Sequence, residues 1–235
     1  MMRLLAKDVY LLGGFPHDAV NVYLIGDVLI DAGTRWDTGR VLRQLRGRTV
    51  NAHALTHVHP DHQGASQAVV QALQLPFWVA EADVAAAESG SMASQFPQPH
   101  HPLVRFQERF LAGSGVPVDR ALREGDDVAG FTVIETPGHT PGHVSFFRER
   151  DGVLILGDVL GNTNMRDFSP GLATPLDLFT VDPARNRASA RKVAALQPSL
   201  ILFGHGSPEY DGGRFAEFVA GLDARSAPSN VKSMT

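Results

Sequence analysis

The run from Thr56 to Gly64, T-H-V-H-P-D-H-Q-G, sets His57, His59, Asp61 and His62 within six residues of a chain that holds ten histidines in all. Apolar Ala52 to Leu55 precedes it and a helix-like segment begins near Gly64, so the run lies on a strand-to-helix turn. In extended backbone, residues two apart point the same way, which lets His57 and His59 grip one ion. Pro60 then breaks the run and turns Asp61 and His62 toward a second. Imidazole nitrogen and carboxylate oxygen are ligands that Zn²⁺ and its first-row neighbours accept, and neutral imidazole brings no charge of its own to bury. Any fold available to this chain must carry that turn where other ligands can reach it.

The chain has no cysteine, which removes disulfides, thiolate nucleophiles, Cys-ligated zinc and iron–sulfur clusters. A metal here must be held by nitrogen and oxygen. The net charge of −4 comes from interspersed residues, with no basic stripe for a phosphate backbone, so nucleic acid is not an expected partner. With 43% hydrophobic residues in 235, the chain can bury a sizeable core. The N-terminus lacks a signal-peptide core and no 18 apolar residues run together. The expectation is a cytoplasmic protein without membrane contact, formed as one domain over 1–235.

Short apolar runs at Val9 to Leu12, Val20 to Ile25 and Val28 to Ile30 read as an antiparallel meander. Helices are expected after Asp37 or Thr38, from Gly64 to Leu73 with Ala65, Ala68, Val69 and Ala72 inward, and from Glu81 to Ser89. Pro76 to Ala80 reads as a strand, and the β-α-β-α order implies parallel pairing. Residues 90–102 shift to Ser, Gln and Pro and read as an exposed loop; with a short helix at Leu103 to Leu111 they form a lid or insertion at about 90–113. Strands return at Phe131 to Thr136, Val144 to Arg148 and Val153 to Leu156. Residues 161–180 read as irregular, Pro183 to Leu196 as a helix, Leu200 to Phe203 as a strand and Arg214 to Leu222 as a last helix. Two β-plus-α halves packed sheet to sheet give a mixed α+β (α/β) fold of four layers, αββα.

Three further candidate ligands stand at strand ends beside glycine: His139 in E-T-P-G-H-T-P-G-H, Asp158 in L-I-L-G-D and His205 in F-G-H-G. Taken in order, T-H-x-H-x-D-H, a distant His, an Asp after a strand and a His between glycines resemble the metallo-β-lactamase superfamily, with a glyoxalase II-like motif set. The resemblance spans nearly the whole chain. It implies an αββα sandwich with a dinuclear site at one edge: His57, His59 and His139 for the first metal, Asp61, His62 and His205 for the second, and Asp158 bridging. Two Zn²⁺ per chain are expected, with Fe or Mn as alternatives. Two dications facing so few protein charges favour a hydroxide between them, and metal binding brings the pKa of water to roughly 7.

These readings imply a metallo-hydrolase that uses a bridging hydroxide on a small-molecule ester, thioester or lactone, with Asp61 orienting that hydroxide. An iron-dependent oxidoreductase or dioxygenase, or a phosphodiesterase, are the alternatives. The lack of cysteine sets aside β-lactamases with a Cys ligand. Only 30 residues follow His205, which argues against the helical glutathione-holding domain of glyoxalase II enzymes. Asn162, Arg166, Phe168 and Tyr210 are candidate substrate contacts. His53 reads as a partly buried structural residue, His143 as a hydrogen-bonding support, and His17, His100 and His101 as non-ligands.

Overall fold

The computed structural model describes residues 2–222; Met1 and 223–235 of the expected 1–235 domain lie outside the described residues. The opening meander is four antiparallel strands, β1 (Met2–Ala6), β2 (Val9–Leu12), β3 (Val22–Ile25) and β4 (Val28–Ile30). From there the sheet grows by parallel addition, which needs a crossover for every strand. Helix α1 (Thr38–Leu45) leads to β5 (Ala52–Ala54), α2 (Ser66–Leu73) to β6 (Phe77–Ala80), and α3 (Val84–Ser89) with α4 (Pro102–Phe110) to β7 (Arg120–Leu122). The result is a seven-stranded sheet in simple sequence order.

A second sheet holds β8 (Asp127–Val128), β9 (Phe131–Glu135), β10 (Val144–Arg148) and β11 (Val153–Gly157). A two-stranded hairpin follows, β12 (Gly161–Thr163) with β13 (Pro170–Ala173). Helix α5 (Pro183–Ala194) then returns the chain to β14 (Leu200–Phe203), which pairs parallel with β11 before α6 (Gly212–Ala220). The five-stranded order is β14-β11-β10-β9-β8.

Between the sheets Val9, Tyr23, Ile30 and Ala54 meet Phe131, Val133, Phe146, Ile155 and Leu202. Outside the first sheet, α1 and α2 cover Leu12 and Leu29 with Val41 and Val69, and α3 and α4 cover Phe77 with Ala87 and Val104. Outside the second, α5 and α6 cover Leu156 and Phe203 with Ala190, Val193 and Phe215. Each sheet thus buries both faces, and the expected αββα layering is what the side chains enforce. No helix among the described residues is long and apolar enough to cross a membrane.

Four expectations need correction. Residues 161–180 are not irregular throughout, since β12 and β13 pair there; strands of three and four half-exposed residues leave no apolar alternation to read. Residues 90–102 are not simply exposed: Met92, Gln95 and Phe96 are buried, because the segment folds back over the turn after β5. Ala72 faces solvent, and the inward stripe of α2 runs through Ala65, Ser66 and Val69. Strands β1, β7 and β8 carry Arg3, Arg120 and Asp127 at or near their ends and escaped the apolar pattern.

A second crossing over the same turn depends on two glycines. A Cβ on Gly64 would stand 2.5 Å from Arg35 N and 2.6 Å from Leu111 O, and one on Gly113 would collide with Gly64 O. Backbone therefore lies on backbone where residues 111–113 cross the end of the histidine turn. Gly113→Ala should lower unfolding free energy by about 1–3 kcal/mol, the usual effect of overpacking. Gly39→Ala, in α1 with nothing within 4 Å of the added carbon, should raise it by roughly 0.5–1 kcal/mol. Urea denaturation of both variants checks the pair.

Candidate metal centre

All seven candidate ligands gather at one rim of the sandwich. His57, His59, Asp61 and His62 occupy the turn after β5, His139 the turn between β9 and β10, Asp158 the residue after β11, and His205 the loop after β14. Strand ends from both sheets thus face a common point. Their stagger is locked across the interface by β3 and the residue before it: Asn21 Nδ2 donates to the carbonyls of Phe203 (2.9 Å) and Gly206 (2.8 Å), and the Tyr23 hydroxyl donates to Phe203 O at 2.7 Å. The loop after β14 comes so close that a Cβ on Gly204 would lie 2.8 Å from His62 Cε1 and collide with Asp158 Oδ1.

Each imidazole has one nitrogen engaged outward, which decides where the other lone pair points. The Thr56 hydroxyl donates to Asp31 Oδ2 (2.9 Å) and so accepts from His57 Nδ1 (3.0 Å). His59 Nε2 donates to the Gln95 carbonyl at 2.9 Å. The Thr180 hydroxyl donates to Leu176 O (3.0 Å) and accepts from His139 Nδ1 (3.3 Å). What remains is His57 Nε2, His59 Nδ1 and His139 Nε2, with separations of 3.2 and 3.1 Å to His59. Three lone pairs facing one another repel, and a cation among them removes the repulsion. These three rings fit a metal ion.

A second group is richer in charge. His62 Nδ1 donates to Asp31 Oδ2 (2.9 Å) and His205 Nδ1 to the Ala19 carbonyl. Asp158 Oδ2 then stands 3.1 Å from His205 Nε2 and 3.6 Å from both His62 Nε2 and His139 Nε2, and Asp61 Oδ2 lies 3.3 Å from His205 Nε2. His62 Nε2 and Asp158 Oδ1 are buried and have no hydrogen-bond partner. Groups of this kind are orphaned only where something else satisfies them. Asp158 Oδ2, within reach of histidines from both groups, is placed to be shared.

Proton affinities divide the same way. Burial pushes His57 and His139 well below the usual imidazole value, with the neighbouring histidines adding to it, and brings His59 down to about 4. These rings stay neutral. Burial also disfavours charge on His62, yet Asp158 and Asp31 outweigh it and hold that ring up to about 10. His205 is likewise raised by Asp158 and Asp61, and both carboxylates are held low against burial, Asp158 by the nearby His205 charge and Asp61 by its hydrogen bond to His205. The second group therefore attracts positive charge. A dication satisfies that demand as a proton does.

Asp31 escaped the sequence reading as a functional residue, although it ends β4 beside the strand that feeds the histidine turn. Held at φ +59°, it accepts from Thr56 N (2.8 Å), the Thr56 hydroxyl and His62 Nδ1. His143 is a support: its Nε2 accepts from the Asp158 N–H at 2.9 Å, its Nδ1 bonds the Thr136 hydroxyl at 2.8 Å, and burial brings its pKa to about 3. His53 is fully rather than partly buried, between Leu29 O and Ser66 Oγ. His17 and His100 are exposed, and His101 caps α4.

A cavity opens onto the centre. Gly161, Thr163 and Met165 line it, whereas Asn162 turns its amide to Ser207 O, Arg166 lines a neighbouring hollow, and Phe168 and Tyr210 are 73% and 64% exposed. Phe96, Gln107, Leu176 and Phe179 complete the wall. None of these four was singled out from sequence, because their segments carry no motif.

The family model described as "Metallo-beta-lactamase superfamily" matches residues 16–205. The chain is 29% identical over 235 residues to "Probable metallo-hydrolase YflN" of Bacillus subtilis, covering 86% of this chain and 85% of that one. It is also 29% identical to a "Hydroxyacylglutathione hydrolase" of Methylobacillus flagellatus, but covers only 57% of that protein's length. Among solved structures, a metallo-beta-lactamase family protein from Thermus thermophilus superposes with a TM-score of 0.66 at 28% identity, over 94% of this chain and 81% of the other.

Two predictions follow from the supports. Asp31→Ala should weaken metal binding about 10- to 100-fold, as loss of a partner to a ligand histidine does; chelator competition measures it, and wild-type affinity would refute the role. Asp83, 1% exposed at the head of α3, accepts from the Gly142 N–H at 3.0 Å, and burial pushes its carboxyl from 3.8 up to about 7. The folded state then keeps a proton that the unfolded chain releases, so stability is lost as pH rises from about 4 to 7. Asp83→Asn should gain melting temperature over wild type across that window, and a gap that does not change with pH contradicts the assignment.

Proposed function

The chain belongs to the metallo-beta-lactamase superfamily, and from that premise we propose that it is a hydrolase of a small ester, thioester or lactone, using two divalent ions, Zn²⁺ first among them. One observation carries the reading: Asp158 Oδ2 lies within 3.6 Å of ring nitrogens from both ligand groups, the placement a shared carboxylate requires. His57, His59 and His139 would hold one ion and Asp61, His62 and His205 the other. Ions bound there would supply a water acidified toward neutral pH and a Lewis acid for the acyl oxygen.

The residues of the chain define the rest. Both Asp61 and Asp158 line the cavity, with side chains 24% and 8% exposed, so Asp61 is the more open of the two to an incoming water. Held ionised by His205, it can accept a hydrogen bond from that water and orient it toward the acyl carbon. Water oxygen bonds to the acyl carbon, the bond from that carbon to the leaving oxygen or sulfur breaks, and the proton passes to the leaving group. Asp31, Gln95, Thr180 and Ala19 keep the ligand rings turned inward while this happens. The apolar wall excludes bulk water from the same space.

Metal analysis of protein purified without added metal should give two zinc per chain, and exhaustive chelation should abolish ester and thioester hydrolysis, with zinc restoring it. Asp61→Ala should lower kcat by roughly 100-fold or more, the range of a lost positioning contact on the attacking water. One iron per chain with oxygen consumption, or full turnover in Asp61→Ala, overturns the proposal.

A further inference from the structure

The cavity has two unlike halves. Asp61, Asp158 and His205 line it with polar, anionic groups; beside His59, Phe96 and Phe179 form an apolar half, and Met165 and Leu176 also line the cavity. Phe96 stacks on His59 with ring centroids 4.4 Å apart and planes 8° from parallel, and meets Phe179 edge-on at 6.2 Å. Among the described residues, no lysine or arginine lines this space. Arg166 and Arg187 line a separate hollow that shares only Thr174 and Pro175 with it. From α4, Gln107 faces into the cavity with no hydrogen bond from its side chain to any described residue.

Resting on the hydrolase reading above, we propose that the substrate's acyl part is uncharged and apolar, seated between Phe96 and Phe179, with the Gln107 amide reading one neutral polar group. A charge carried into the apolar half would be desolvated without a partner, a large penalty. An aliphatic or aryl acyl group instead gains from every carbon it buries. Glutathione thioesters, whose leaving group bears two carboxylates and an ammonium, find no complementary charge in this wall. The selected class is neutral esters, thioesters or lactones with an apolar acyl chain.

The test uses the metal-loaded protein and matched pairs: acetyl, butyryl and hexanoyl p-nitrophenyl esters, and hexanoyl thioesters of N-acetylcysteamine and of glutathione. Expected is a kcat/KM that climbs roughly threefold per added methylene, and a preference of at least about tenfold for the cysteamine thioester over the glutathione one. Leu176→Arg should shift the ratio of those two thioesters toward glutathione by about tenfold. Because it is a ratio within one preparation, partial misfolding does not move it. Phe179→Ala should flatten the chain-length slope, with Phe179→Leu keeping most of it. Calorimetric binding of the unhydrolysed hexananilide, stronger than acetanilide to loaded and metal-stripped protein alike, reads the wall without turnover. A flat slope, or preference for the glutathione thioester, overturns this assignment while leaving the hydrolase reading intact. No hydrolysis of any member by protein carrying its metal would sink the hydrolase reading instead, and the anilide comparison would still decide the wall.

Discussion

The Asp31 carboxylate is the contact on which the site's geometry rests. Its two oxygens accept from Thr56 N, Thr56 Oγ1 and His62 Nδ1, and through the Thr56 hydroxyl it also orients His57. One buried group just past β4 thus fixes a ring from each ligand set and pins the turn after β5 to the strand beside it. Charge-assisted hydrogen bonds of this sort are short and directional. Without Asp31, the histidine turn would keep its sequence and lose its aim.

Around that anchor the two ligand sets divide the electrostatic work. The His57, His59 and His139 rings are neutral through burial, and the second set brings the carboxylates of Asp61 and Asp158. The charge therefore accumulates on the side where Asp61 opens to the cavity, and the dry side is left for packing. Asp158 belongs to both. Its main chain N–H is taken by His143, which leaves the side chain free of that contact and fixes where it starts from.

Much of the site was legible because donor chemistry is written in residue types. His57, His59, Asp61, His62, His139, Asp158 and His205 offer side-chain donor atoms on the turns that follow strands, and a strand end is readable from an apolar run. The partners that orient them were not legible, since Gln95 and Ala19 contribute main-chain carbonyls that any residue supplies. Asp31 left a faint signal, a carboxylate closing a strand next to the histidine-bearing one. The layers were readable from alternating β and α runs, but the β12–β13 hairpin was not, for its strands are short and only half buried. Burial of Met92 and Phe96 in a Ser-, Gln- and Pro-rich stretch reflects long-range contact that local composition does not record.

The cavity wall and the outer contacts of the metal ligands share the same two short segments. Gln95 supports His59 and Phe96 follows it; Thr180 supports His139 and Phe179 precedes it. The two joints differ in kind. At Gln95 the support is a main-chain carbonyl, so the neighbouring wall residue can be exchanged, and Gln95 itself can be exchanged, without removing the acceptor. At Thr180 the support is a side-chain hydroxyl, and few residues replace it. Drift in what this centre accepts should therefore enter through the segment before α4, while the segment after β13 holds still, giving the protein one adaptable wall and one conservative wall around the same centre.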